Sequence, residues 1–435
     1  MAGVGCSNNS YSGKIIAVQY LDGKSGTPEN AQLIVIDPDA PQKEARLLSE
    51  DFVAAASPSL SHDGRFLLFQ GKKNDSDPWQ IWMADLNGNS FIQVTDLQEN
   101  CTEPVPLPDE TIVFSRENKV NGYVVNDLWR CGMDGCCLTR ITYNPSRNVG
   151  ASVLSEGRIL YLSSQQFPDP KTPVLMIMRP DGTKSELYTP GCCGWNPVSG
   201  GSESADGYIY FIAAEGKLSR VMHRRPLHTF ENLSEGITGL FSAVTTLPDG
   251  GCLVSYKPSS EDPFGIYRYG PDSSKLPELV YQGKTDISDP LWIEALDERP
   301  RKLPSAVNPE NPTGLLMSQN INHSMLPAHS DVGNDTLANS VRVSYLNGNE
   351  EVIEVEEDGS FYLKMDTEEA FRIETLNNTG ETVRGPSDWI YLRPNERRAC
   401  TGCHADPELA PENIQPLAVK KDPVEVYVKK NEVSN

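Results

Sequence analysis

The chain has 435 residues, 60 acidic against 38 basic, and a formal net charge of −22. A polyanion repels nucleic-acid phosphates, which argues against DNA or RNA binding and leaves a basic protein partner open. No apolar run approaches the 18 or so residues of a membrane-spanning helix. With 34 glycines, 33 prolines and 38% hydrophobic residues, a turn-rich all-β protein of two or three domains is expected.

In chain order, residues 1–13 come first. Met1-Ala2-Gly3-Val4-Gly5-Cys6-Ser7-Asn8-Asn9-Ser10 lacks the charged and apolar regions of a full signal peptide. Small residues leading to Cys6, with a polar spacer behind it, resemble the processed region of a bacterial lipoprotein. Gly3 stands at −3, where leucine is usual. Cys6 is thus a candidate lipid anchor, the alternative being a free N-terminal cysteine.

Residues 14–303 carry a repeat. Asp63-Gly64, Asp109-Glu110, Glu156-Gly157, Asp206-Gly207 and Asp249-Gly250 recur at the spacing of propeller blades. Each precedes an apolar strand, such as Phe66-Leu67-Leu68-Phe69 or Ile159-Leu160-Tyr161-Leu162, and a second strand follows, such as Gln80-Ile81-Trp82-Met83. Five copies are complete. The strands at Ile15–Val18 and Leu33–Ile36, joined to Leu291-Trp292-Ile293-Glu294, complete a sixth blade and close the ring. The motif Pro58-Ser59-Leu60-Ser61-x-Asp63-Gly64 with Phe69, followed by Ile81-Trp82 and Asp85, resembles the repeats of TolB-like propellers. That resemblance implies a fold rather than an activity, because propellers host many functions. His62 in a blade turn, and His223 and His228 beside Arg224 and Arg225, read as structural.

Ten cysteines suit an oxidising compartment. Cys131 and Cys136 flank the turn Gly132-Met133-Asp134-Gly135 and are candidates to face each other across a hairpin.

Pro304, Pro309 and Pro312 mark residues 304–339 as a linker. Short strands are expected at Val341–Ser344, Val352–Val355, Ser360–Leu363 and Phe371–Glu374, with hairpin turns at Asn347-Gly348 and Asp358-Gly359. Residues 340–394 therefore form a small β-sandwich-like module. Residues 395–435 make a final segment and tail.

That segment holds Cys400-Thr401-Gly402-Cys403-His404, the CxxCH signature of c-type haem attachment. Two cysteines three apart reach the two vinyl groups of one porphyrin, and the next histidine meets the iron. A structural zinc wants four ligands, and no second CxxC or HxxxH follows Cys403. One haem c is expected, on Cys400 and Cys403, with His404 on the iron. Such attachment happens outside the cytoplasm, so a periplasmic or outer-membrane location is expected too. Met325 and His323 are the leading candidates for the sixth iron position, since residues 317–329 concentrate such side chains. A methionine there would raise the reduction potential relative to a second histidine. The same residues also read as linker packing. Arg397 and Arg398 suit haem propionates by their fork geometry, or solvent.

The run from Ser387 through Trp389, Tyr391, Arg393-Pro394-Asn395-Glu396-Arg397-Arg398-Ala399 to His404 resembles the haem-bearing region of the hydrazine synthase alpha-subunit family. Ala410-Pro411-Glu412-Asn413 and Pro416-Leu417-Ala418 extend the likeness. The resemblance implies a propeller ahead of a haem module. It also implies, in the synthase, a tyrosine ligand four residues beyond the motif histidine and a second haem on a further domain. Here Glu408 holds that position, the next tyrosine is Tyr427, and there is one CxxCH. Ordinary ligation by His404 is the expectation.

Three readings follow. The first is an exported monohaem cytochrome that relays electrons among redox partners, such as other cytochromes or a membrane complex, with the propeller as docking platform. The second is a haem enzyme with an open iron position. The third is a surface scaffold with a structural haem.

Overall fold

The computed structural model describes every residue except 1–10, 22–27, 89, 190–194, 271–275, 297, 334, 403–405, 407, 410–412 and 428–435. It is all-β, with a propeller followed by a sandwich-like module. The chain divides into two compact units. One comprises Met1–Arg140, Ser146–Ile177 and Glu186–Leu303. The other comprises Ile141–Pro145, Met178–Ser185 and Pro304–Asn435.

The first unit contains six four-stranded antiparallel meanders. Five are continuous in sequence, at 54–93, 101–140, 146–189, 202–232 and 240–281. The second and third are joined by a single parallel bridge, Asn126 to Arg147. The sixth is assembled from both ends of the repeat region. Ile287–Trp292 pairs with Ile15–Tyr20, which pairs with Ala31–Ile36 and then Arg46–Leu47. The sheets stack through apolar faces, for example Ile16, Val18 and Leu33 against Phe52, Leu67 and Phe69.

One turn repeats in every meander, and its chemistry explains the Asp/Glu-Gly spacing. The residue before the second strand takes a left-handed backbone, at Gly64 (φ 71°), Glu110 (65°), Gly157 (93°), Gly207 (84°) and Gly250 (85°). Glycine adopts this region without a Cβ clash. Two hydrogen bonds close each turn, as in Gly250 N–H to Leu247 O (3.1 Å) and Leu247 N–H to Gly251 O (2.7 Å). At the ring closure the same pair forms between the two ends of the repeat region. Gly13, at φ 75°, donates to Ile293 O (3.0 Å), and Ile293 N–H donates to Lys14 O (2.9 Å). The sixth turn is thus made without a covalent connection.

The second unit is built from two four-stranded sheets. One runs Glu350–Glu354, Ser340–Tyr345, Phe371–Leu376, Thr382–Arg384, and the other Arg397–Gly402, Thr313–Asn320, Phe361–Asp366, Val424–Val426. Leu316, Leu363, Met365 and Val426 pack with Val341, Val343, Phe371 and Val383 to form the core. The expected linker at 304–339 is corrected here, because Thr313–Asn320 is a central strand. The segment from 395 onward is likewise part of the module, supplying Arg397–Gly402 and Val424–Val426 at the two edges of one sheet. Local pattern hid this, since Thr313–Asn320 pairs with strands some 50 and 80 residues on.

The turn geometry makes a paired prediction. Glu110→Gly relieves a strained left-handed residue and should stabilise the chain by about 1 kcal/mol. Gly157→Ala should destabilise by more than that, because a Cβ there would lie 2.1 Å from Arg301 O. Urea midpoints of the two variants against wild type check both signs.

Candidate functional site

The attachment motif begins on an edge strand. Arg397–Gly402 pairs in parallel with Thr313–Asn320, setting Cys400 opposite Ser318 and Gly402 opposite Asn320. The Cys400 side chain is exposed and in no disulfide. Cys403 and His404 lie outside the described residues.

The chain after Asn320 turns back against the motif. His323 N–H donates to Asn320 O (3.1 Å), and Ile321 N–H donates to Gly359 O (2.9 Å). Asn322 clamps the turn, donating to Ala338 O and accepting from Ala338 N–H, each at 2.9 Å. Gly402 makes the approach sterically feasible. A Cβ on it would stand 2.2 Å from His323 O and 3.0 Å from His323 Cβ. His323 is therefore held beside the residue that precedes Cys403. Met325 follows at 69% exposure, with Leu326 (47%) after it, and Leu409 (62%) lies on the far side of the motif in sequence. An exposed attachment cysteine with a histidine turn packed on the motif, and exposed apolar side chains following in the chain, fits a haem.

The two arginines have different surroundings. Arg398 is mostly buried and donates to Glu396 Oε1 (2.8 Å). Arg397 is exposed, and its backbone carbonyl accepts from Lys184 Nζ. Glu396, at 2% exposure, is the hub that sequence reasoning missed. Its carboxylate also accepts from Lys184 N–H and Arg393 N–H, each at 2.9 Å. Arg393, 4% exposed, donates to Asp181 O (3.1 Å) and Glu368 Oε1 (2.8 Å) and lies over the Tyr143 ring. Tyr391 donates to Ile141 O (3.0 Å). The Asp181 carboxyl is driven up by burial but held net below its ordinary range by bonds from the Thr183 hydroxyl, Ala306 N–H, Thr183 N–H and the Ser305 hydroxyl. The charge-rich Glu-Arg-Arg run ahead of CxxCH was the available signal. Burial decides which of its members is structural.

In the first unit, His223 meets Tyr188 Oη at 3.0 Å and stacks on its ring. Half-buried His62 lines a cleft of about 640 Å³ with Phe66, Leu107, Asp134, Cys136 and Arg299. Burial and then the Arg299 charge push its pKa down. The first strands of the meanders add two carboxylates absent from the sequence reading. Ser57 (φ 52°), Glu103 (53°) and Asp289 (49°) occupy matching bulges, each followed by proline. Burial pushes Asp289 up to about 6, opposed by the Ser288 hydroxyl and reinforced by the Glu103 charge. Glu103 is raised by burial, against the Gly150 N–H and Arg147. Among the described residues no group of three or more His, Cys, Asp and Glu is arranged to hold a metal ion.

This combination defines a class, an all-β propeller protein whose second module carries a haem-attachment motif on a sheet edge. Residues 318–405 match the family model for the hydrazine synthase alpha subunit middle domain. The chain is 21% identical to hydrazine synthase subunit alpha of Kuenenia stuttgartiensis, over 87% of this chain and 63% of that protein. It thus spans under two thirds of that relative's length. The solved Kuenenia stuttgartiensis hydrazine synthase superposes with a TM-score of 0.78 at 19% identity, covering 94% of this chain and 71% of that one. TolB from Acinetobacter baumannii matches with a TM-score of 0.48 at 17% identity, over 65% of this chain and 67% of that one. The chain is related to the hydrazine synthase alpha subunit and shares its fold, as the sequence resemblance implied.

Two predictions follow from the buried charges. Glu396→Ala strands Arg398 without its partner and should cost about 3–5 kcal/mol, read as a lowered denaturation midpoint of the full chain. Asp289 has a raised folded-state pKa, so its proton is favoured in the native state. Its contribution is present below about pH 4 and lost as pH rises through about 6. Asp289→Asn should therefore stabilise the chain at pH 8, by at most about 3 kcal/mol, with the gain vanishing by pH 4. Urea midpoints across that range test the sign.

Proposed function

We propose that this chain is an exported c-type haem protein that relays electrons within a larger redox assembly, with the propeller as the docking platform. Cys400 and Cys403 would hold the haem by thioethers, and His404 would ligate the iron. The bound group would supply one-electron transfer. Exposed Arg397 is the candidate for propionate contact, since Arg398 is occupied by Glu396. Cys6 is the candidate lipid anchor at a periplasmic or outer-membrane surface, and the partners are other cytochromes or a membrane complex. The observation that carries the reading is the His323 turn, clamped by Asn322 and packed on Gly402 beside an exposed Cys400. A relay is served by a rigid ligand environment that changes little between oxidation states.

The domain match at 318–405 favours a second reading. A relative of a hydrazine synthase subunit could keep an open iron position and turn over a small nitrogen compound.

The experiment is spectroscopic and begins with attachment. Intact mass should exceed the polypeptide by one haem, and Cys400→Ala with Cys403→Ala should lose it. Low-spin iron in the wild type, turned high-spin by His323→Ala or Met325→Ala, is the result expected of a relay. High-spin iron that binds carbon monoxide before any substitution would transfer the assignment to the enzyme. Haem extracted by acidic organic solvent would sink covalent attachment.

A further inference from the structure

The hairpin turn after Tyr123–Gly132 ends in two adjacent cysteines. Gly132 N–H donates to Cys136 O (2.8 Å) and Gly135 N–H to Gly132 O (2.9 Å), so the turn closes on Cys136. The expected facing of Cys131 and Cys136 is not what forms. Cys131 points into the core at 1% exposure, among Ile112, Phe114 and Cys101. Cys136 and Cys137 are both exposed and both thiols. Cys136 N–H donates to Asp134 Oδ1 (3.1 Å), and a Cβ on Gly132 would stand 2.6 Å from that oxygen and 3.0 Å from Cys136 Sγ, so carboxylate and thiol share one side of the turn. Cys137 sits in the left-handed region at φ 58°, its carbonyl accepting from the Thr139 hydroxyl at 3.1 Å. The turn thus presents two adjacent, exposed cysteines, both as thiols. Cys136 also forms part of the wall of the cleft that His62 and Arg299 line.

We propose that Cys136 and Cys137 form a reversible redox site, a dithiol that closes to a vicinal disulfide by exchange with a low-molecular-weight disulfide. The thiolate of Cys137 attacks one sulfur of that disulfide, forming a mixed disulfide and releasing one thiolate. The Cys136 sulfur then attacks Cys137 Sγ, expels the second thiolate and completes the Sγ–Sγ bond. One disulfide is reduced, one is formed, and the two cysteine protons go to the released thiolates.

Geometry makes this a switch rather than a staple. Adjacent Cα atoms are about 3.8 Å apart, below the roughly 4.4–6.8 Å of unstrained disulfides. A strained, exposed bridge has a more oxidising potential and reopens readily. The order of attack follows from the neighbours. Asp134, then Cys137, hold the Cys136 thiol well above its ordinary pKa, so Cys136 is a poor first nucleophile and takes the resolving step. Closure ties Cys136 to its neighbour and so alters one wall of the cleft.

The test uses the full chain equilibrated in glutathione buffers, acid-quenched, alkylated and digested to the tryptic peptide 131–140. The oxidised peptide should lack two hydrogens, give no backbone fragment between Cys136 and Cys137, and carry its only alkyl group on Cys131. Dithiothreitol should restore two further alkylation sites. Cys136→Ala should trap a glutathione adduct on Cys137, while Cys137→Ala should give several-fold less adduct on Cys136. Asp134→Asn should raise Cys136 alkylation several-fold in Cys137→Ala. A peptide that stays fully reduced across the glutathione range would overturn the proposal. So would a bridge to Cys131, shown by its persistence in Cys137→Ala, or a disulfide joining two chains.

Discussion

A single buried carboxylate organises the second unit. Glu396 accepts from two backbone amides, of Lys184 and Arg393, and from the Arg398 guanidinium. An ion this far from water is tolerated only when its lone pairs are filled. Its partners are therefore fixed in place rather than merely attracted. One of them, Lys184, comes from distant sequence, which ties 178–185 into the same compact body as 304–435. Glu396 O also accepts from Leu315 N–H (2.8 Å) and Asn395 N–H donates to Thr313 O (3.0 Å), so the strand holding Cys400 starts in register with the one beside it.

From that register the attachment site is assembled by packing. Parallel pairing carries 315–320 alongside 397–402, and the absence of a side chain at Gly402 lets the next turn close on the motif. A variable position in the CxxCH pattern is thereby restricted to glycine by its neighbours. The same turn carries His323 and leads to exposed Met325. Substituting Gly402 would displace a candidate ligand without touching a haem-bonding atom.

The first unit works by repetition with exceptions. Glycine recurs in the left-handed turn, and Glu110 is the one non-glycine there among the five continuous repeats. At the matching bulges of the first strands, serine, glutamate and aspartate accept the same strained backbone. Glu103 and Asp289 add a desolvation penalty to that strain, which an apolar or amide side chain would avoid. Cys136 and Cys137 are a third departure, since the turn that presents them could be closed by residues without thiols. Such departures from the repeat are where chemistry beyond folding is expected.

The sequence by itself determined the all-β class, the blade period, the joining of both ends in one meander and the haem-attachment motif. Each is written in local order, as a turn residue with a special backbone, an alternation of period two, or a fixed spacing of cysteines. The strands at 340–376 were legible for the same reason. Tertiary structure alone decided that Thr313–Asn320 is a central strand, because prolines before it mask a pairing made across some 80 residues. It alone turned Cys131 inward and left Cys136 exposed, since which side of a hairpin is buried is set by the sheets packed on it. It alone separated Arg397 from Arg398, which are identical in chemistry. A buried glutamate faces one of them and solvent faces the other, and that difference exists only once the chain has closed around Glu396.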